Sequence, residues 1–158
     1  DLLPVPECDS KFVKWVLLTP AQFNNGWKPD WVDEKGAVML MERPERSEFA
    51  TRKAWREAIK ECAADRDKQI KAQLVAARVG KPITVSGWKI AKDGNSAQGQ
   101  TKPTRLLVPA GSVYYFECTD SSHAKRLIRQ LHLQVKSQIF GEKGLGFGVC
   151  GTWELEKF

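Results

Sequence analysis

Histidine is scarce in this chain, with only His123 and His132 among 158 residues. Cysteine is nearly as scarce. The four, at positions 8, 62, 118 and 150, form no Cys-x-x-Cys pair, and the histidines complete no zinc pattern. The spacing therefore predicts no metal centre and no cofactor, and four reduced thiols of a cytoplasmic protein. No apolar run reaches the roughly 18 residues that would read as a spanning helix, so no membrane partner is expected. There is no basic-then-apolar leader. The chain opens on Asp1 rather than Met, and we read it as the C-terminal part of a longer protein. No Gly-x-x-x-x-Gly-Lys-Ser/Thr loop occurs, and no strand-glycine-helix dinucleotide fingerprint either.

Acidic residues are missing from one stretch in particular. Residues 1–80 carry 14 Lys and Arg against 13 Asp and Glu, whereas residues 81–136 carry 9 against 3. Residues 137–158 carry 2 against 3, so the middle stretch accounts for the whole net charge of +6. A localised basic field suits a polyanion, though a solvated basic face would look the same by charge alone. Composition adds to the first reading. Residues 102–117 run Lys-Pro-Thr-Arg-Leu-Leu-Val-Pro-Ala-Gly-Ser-Val-Tyr-Tyr-Phe-Glu, which joins cations, small residues and aromatic rings. Single-stranded nucleic acid is held by that combination, with charge for phosphates and ring faces for bases.

Periodicity predicts the elements. Residues 11–18, 37–41, 73–79, 83–90, 105–108, 112–118 and 149–155 read as strands. Pro20 ends the first, because proline cannot donate to a ladder. The stripe Trp55, Ala58, Ile59, Cys62, Ala63 predicts a helix over 47–66 with a mixed-charge outer face. Ser121 or Ser122 is expected to cap a second helix reaching about Lys136, with Ala124, Leu127, Ile128, Leu131 and Val135 inward and Lys125, Arg126, Arg129 and Lys136 as a basic outer face. Residues 91–101 read as a polar loop. The order predicts an α+β fold, helices on an antiparallel sheet, in one domain over 1–158, with 42–71 as a charged helical insertion.

Four blocks, in order, carry a resemblance: Leu-Thr-Pro-Ala-Gln-Phe-Asn-Asn-Gly-Trp-Lys-Pro at 18–29, Val-Gly-Lys-Pro-Ile-Thr-Val-Ser-Gly-Trp at 79–88, the 102–117 stretch, and Gly-Glu-Lys-Gly-Leu-Gly-Phe-Gly-Val-Cys-Gly-Thr-Trp at 141–153. Together they resemble the subunit-three family of the Cmr complex, a RAMP-superfamily protein of type III-B CRISPR effectors. The resemblance covers about Val16 to Trp153. It implies a ferredoxin-like, RNA-recognition-type fold with a glycine-rich loop near the C-terminus. It also implies a non-catalytic, antiviral-defence role: holding the 5′ handle of the CRISPR RNA, and docking the large palm-domain subunit and the first backbone-forming RAMP subunit. Full members carry a further N-terminal ferredoxin-like part.

The candidate RNA-binding residues follow. Lys102 and Arg105 can grip phosphate, Arg bidentately, with Thr104 between them. Gly111, Gly144 and Gly146 are expected to let backbone amides approach a bound strand, with Lys143 beside them. Ser112 can donate to a phosphate or cap the Pro-Ala-Gly turn, and both readings stand at this point. Trp27 with Lys28, and Trp88 with Lys89, are expected to line a shared cleft. Tyr114, Tyr115 and Phe116 alternate faces if extended, so only an outward ring can stack. Two rival functions remain open: a metal-independent RAMP endoribonuclease using His123 or His132, and a scaffold that binds protein alone.

Overall fold

The computed structural model describes residues 6, 8–44, 46–65, 68–89 and 99–154. Its nine strands are β1 (Phe12–Leu17), β2 (Ala72–Arg78), β3 (Ile83–Val85), β4 (Trp88–Lys89), β5 (Gln100–Thr101), β6 (Arg105–Leu107), β7 (Val113–Cys118), β8 (Gln134–Val135) and β9 (Phe147–Thr152). The helices are α1 (Arg52–Ala64) and α2 (Ser121–Leu131). Five strands make one antiparallel sheet in the order β2-β7-β1-β9-β8. The fold is therefore α+β. The four longest strands join through two split crossovers. Strand β7 lies between β1 and β2, and β1 lies between β7 and β9.

Alternation sets the faces. In β1, Val13, Trp15 and Leu17 are buried, and in β7 so are Tyr114, Phe116 and Cys118. The residues between them point to the other face, because successive strand side chains alternate. Trp15 packs against Tyr114 and Trp31 with ring centroids 5.5 and 5.7 Å apart, and Trp31 stacks on Phe116 at 5.7 Å. Helix α2 covers this face with Ala124, Leu127, Ile128 and Leu131. The irregular segment from Ala21 to Leu40 completes the cover with Phe23, Trp31, Val32 and Val38.

Several expectations need correction. Only α2 buries an apolar stripe on the sheet. In α1, Cys62 is buried while Trp55, Ala58 and Ile59 remain partly exposed, because the 21–40 segment already occupies the space a second helix would need. Helix α1 starts late, after Thr51, whose side chain accepts from the Ala54 amide at 3.2 Å. The cap of α2 is Asp120, not Ser121 or Ser122: its carboxylate accepts from the His123 amide at 2.9 Å. That helix stops at Leu131, because His132 turns extended and Leu133 takes φ 54°. Val135 accordingly leaves the stripe, joins β8 and is 41% exposed. Residues 37–41 form isolated bridges to Val32, Gln73 and Gln69 instead of a strand. The expected strand 83–90 divides into β3 and β4; Ile90, and residues 91–98 of the polar loop, lie outside the described residues.

Candidate nucleic-acid interface

All four sequence blocks converge at the end of the sheet where β1 leaves and β7 and β9 enter. The Gly111 amide donates to the Leu17 carbonyl at 2.7 Å, and Ala21 exchanges backbone bonds with Val108. Thr19 joins the first block to the last: its hydroxyl donates to the Gly144 carbonyl at 2.8 Å and accepts from the Phe147 amide at 2.9 Å. The phenol of Tyr114 donates to the Trp27 carbonyl at 2.6 Å, and burial pushes its pKa up.

A ribbon of two small antiparallel pairs stands outside the main sheet. Strand β3 pairs with β6, and β4 with β5. Its side chains are mostly exposed, including Ile83, Val85, Trp88 and Leu106. Lys81, Lys89, Lys102 and Arg105 make it basic. Among the described residues, none of these four has a carboxylate within ion-pair distance. Lys102 is fixed by its amide, which donates to the Gly87 carbonyl at 2.7 Å. Thr104 is exposed beside it.

The ribbon meets the C-terminal glycine turn at Phe140. The Arg105 guanidinium lies 5.5 Å from the Phe140 ring centroid, and the Lys143 ammonium 4.6 Å from the same centroid. Phe140 sits at φ 59°, a left-handed geometry held by the short helical turn Gly141–Lys143 that follows it. Phe140 lies one residue before the 141–153 block, and nothing in its local pattern marks it. The two cations share one ring face system because cation–π attraction offsets part of their mutual repulsion. Arg105 and Lys143 are thereby gathered in one region, with Gly144 next to Lys143 in the chain and Lys102 tied to Gly87 three residues before Arg105.

The glycines work differently from expectation. Their amides are not free donors: Gly111 donates to Leu17, Gly144 to Gly141 and Gly146 to Pro20. Gly146, at φ 77°, packs so closely that an added Cβ would stand 2.3 Å from the Ser137 amide nitrogen. Gly144, at φ 82°, faces open space. These residues shape the turn that carries Lys143 beside Phe140.

Ser112 is buried, with its hydroxyl accepting from the Gly80 amide at 3.4 Å. Its hydroxyl ties the 111–112 corner to Gly80, and its burial corrects the phosphate reading. The Lys28 ammonium donates to the Asp33 carbonyl at 2.8 Å within its own loop. Among the described residues, the groove that Trp27 lines does not include Trp88. Trp88 lies across the ribbon against Gly99, where an added Cβ would sit 1.8 Å from its Nε1. Trp27 is 49% exposed and lines a separate groove of about 340 Å³ with Val79, Pro82, Leu106 and Pro109.

The basic outer face of α2 is largely paired. Arg126 and Arg129 reach the Glu42 carboxylate at 3.4 and 3.9 Å, and Lys125 reaches Asp9 at 3.3 Å. Lys136 is different: burial, with Arg43 nearby, pushes its pKa down to about 8. Both histidines point Nδ1 at backbone. His123 accepts from the Lys71 amide at 3.2 Å, and His132 from the Cys150 amide at 3.1 Å. Among the described residues, no group of three or more His, Cys, Asp or Glu could hold a metal ion. Burial pushes the Cys118 thiol up to about 12 and raises that of Cys150 as well.

Fold and surface together define a small α+β protein with an unpaired basic ribbon anchored beside a glycine turn. The family model of CRISPR-associated protein (Cas_Cmr3) matches residues 2–153. The chain belongs to that family, the third subunit of the Cmr complex of type III-B CRISPR systems. No curated relative and no solved structure matches the chain. No helix among the described residues is long and apolar enough to cross a membrane.

Proposed function

We propose that this chain is a non-catalytic CRISPR RNA-binding subunit that holds the 5′ handle of the guide in the cytoplasm. Trp88, Lys102, Thr104 and Arg105 of the ribbon face the strand together with Lys143. The observation that carries this reading is the Phe140 ring, which brings Arg105 and Lys143 together from segments far apart in sequence. Cations without carboxylate partners suit phosphates, and an exposed indole suits a base. The strand order β2-β7-β1-β9 with its two split crossovers supports a ferredoxin-like fold for the protein. The backbone bonds at Nδ1 of both histidines support a structural role for them and weigh against the endoribonuclease. A cleavage assay with His123→Ala and His132→Ala decides that point: loss of cutting with intact binding would favour the enzyme.

The test of the main reading is RNA affinity as a function of salt. Phosphate contacts give a steep negative slope of log affinity against log salt, about 0.7 per contact on a single strand. A scaffold that binds protein alone gives no RNA binding. The Trp27 groove favours one part of that second reading. Its apolar walls suit side chains of a neighbouring subunit, the large palm-domain subunit or the first backbone RAMP subunit. The two roles occupy different surfaces and coexist.

A further inference from the structure

The sheet has a second face, and its composition is unusual. Strands β1 and β7 bury every second residue under α2 and the 21–40 segment, and the residues between are half-buried. An antiparallel sheet commonly turns polar side chains to water on its open face. Here the register instead aligns Val113, Val16 and Val149 in one row, and Tyr115, Lys14 and Gly151 in the next. Phe12 pairs with Glu117 in a third row. Trp153 follows β9 and folds back across β1 to donate its Nε1–H to the Phe116 carbonyl at 3.2 Å. Its ring meets Phe12 at 4.9 Å and Tyr115 at 5.4 Å, the latter edge-on at 76°. Both rings are half-buried, so each keeps part of its surface toward water.

Charge on this face is one-sided. Among the described residues of β1, β2, β7 and β9, its one carboxylate is Glu117, held by Lys11 at 2.6 Å. Lys14 stands beside Tyr115, with its stem laid over Gly151, where an added Cβ would be 3.2 Å from the Lys14 Cε. Arg78 stands at the end of the Val113 row. Neither Lys14 nor Arg78 has a carboxylate within ion-pair distance among the described residues. The face also leads to the site above, because Val16 precedes Leu17, whose carbonyl holds Gly111.

We propose that this open face is a stacking platform for unpaired nucleotides of an RNA strand. Tyr115 and Trp153 receive base faces, and Lys14 and Arg78 meet phosphates. This rests on the RNA-binding reading above and extends its footprint from the ribbon onto the sheet. A purely apolar protein partner would leave the two unpaired cations facing it without counter-charge, which desolvation penalises.

The experiment uses the full protein, alone and in its complex, with a short unstructured oligouridylate carrying 5-bromouridine. Ultraviolet cross-links should map to Tyr115 or Trp153. Tyr115→Ala should weaken affinity about 5- to 100-fold, as loss of one stacked base does, and Tyr115→Phe should restore it. Lys14→Gln should flatten the salt slope, and it decides the matter if Tyr115→Ala does not fold. Cross-links confined to the ribbon, with unchanged affinity for Tyr115→Ala and Lys14→Gln, would overturn the platform and leave the ribbon reading intact. Unchanged RNA affinity with loss of a neighbouring subunit would make the face a protein interface and overturn it equally. No RNA binding by the unaltered protein would remove both proposals together.

Discussion

Helix α2 and the ribbon of β3 to β6 are both basic, yet their cations stand in different company. On α2, Lys125, Arg126 and Arg129 meet Asp9 and Glu42. On the ribbon, Lys81, Lys89, Lys102 and Arg105 meet no carboxylate among the described residues, and Arg105 turns to an aromatic ring. The same side chains therefore serve different ends. Exposed ion pairs of the first kind contribute at most about 1 kcal/mol each. Unpaired cations of the second kind contribute little to stability and leave a positive field for a polyanion. Net charge over 81–136 cannot separate the two; only the partners do.

The largest expected effect breaks or confirms that contrast directly. Exchanging Lys102 and Arg105 for Glu should weaken RNA affinity about 100-fold or more and remove roughly 1.4 from the salt slope, two single-strand contacts. Arg126→Gln with Arg129→Gln should change affinity less than about 2-fold. Equal losses from both pairs, read by titration across a salt series, would dissolve the distinction.

Next in size is the turn that carries Lys143. Gly146→Ala forces a Cβ toward the Ser137 backbone at a positive φ, and both strains fall on one residue. A loss of about 2–4 kcal/mol is expected by denaturant unfolding. Gly144→Ala meets no neighbour and should lose only the smaller conformational part.

Lys136 sharpens the contrast from a third side, as a half-buried cation with no carboxylate within ion-pair distance among the described residues. Its native pKa of about 8 lies below the ordinary 10.5. Below pH 8 the folded protein therefore bears the cost of a buried charge, on the order of 3 kcal/mol from that shift. Between pH 8 and 10.5 the unfolded chain holds the extra proton, so this group's contribution to stability rises with pH. Lys136→Met should raise the melting temperature at pH 7, and the gain should shrink as pH climbs toward 10.5. A gain independent of pH would contradict the burial argument.

The smallest effects belong to α2 itself. Asp120→Ala removes the cap and should lower the melting temperature slightly. The His123 amide holds the Asp120 carboxyl below its usual pKa, so this contribution is lost as pH falls through that lowered value. Arg126→Gln with Arg129→Gln should shift stability by no more than about 1 kcal/mol.

Much of the framework was legible in the residues. The alternation in Val-Tyr-Tyr-Phe-Glu-Cys put Tyr115 on the face opposite Tyr114 and Phe116, and the structure decides that the latter two are the buried ones. Pro20 marked the end of β1, and the stripe Ala124, Leu127, Ile128, Leu131 marked α2. Local pattern failed where tertiary competition decided. The stripe of α1 has the same spacing as that of α2, but Trp31 and its neighbours already cover the sheet. Ser112 was ambiguous because Gly80, its partner, lies 32 residues away. Phe140 was invisible because a lone aromatic becomes a cation site only when Arg105 and Lys143 come beside it.

Taken by itself, the chain determined its long strands, the buried stripe of α2, the place of its positive charge and the four ordered blocks of its family. These depend on residue type and near-neighbour spacing. The tertiary structure alone decided which cations meet carboxylates, which glycine amides are occupied and which aromatic rings face outward. Electrostatic and hydrogen-bond partnerships depend on distance in space, and Glu42 approaches Arg126 only after the chain between them has folded.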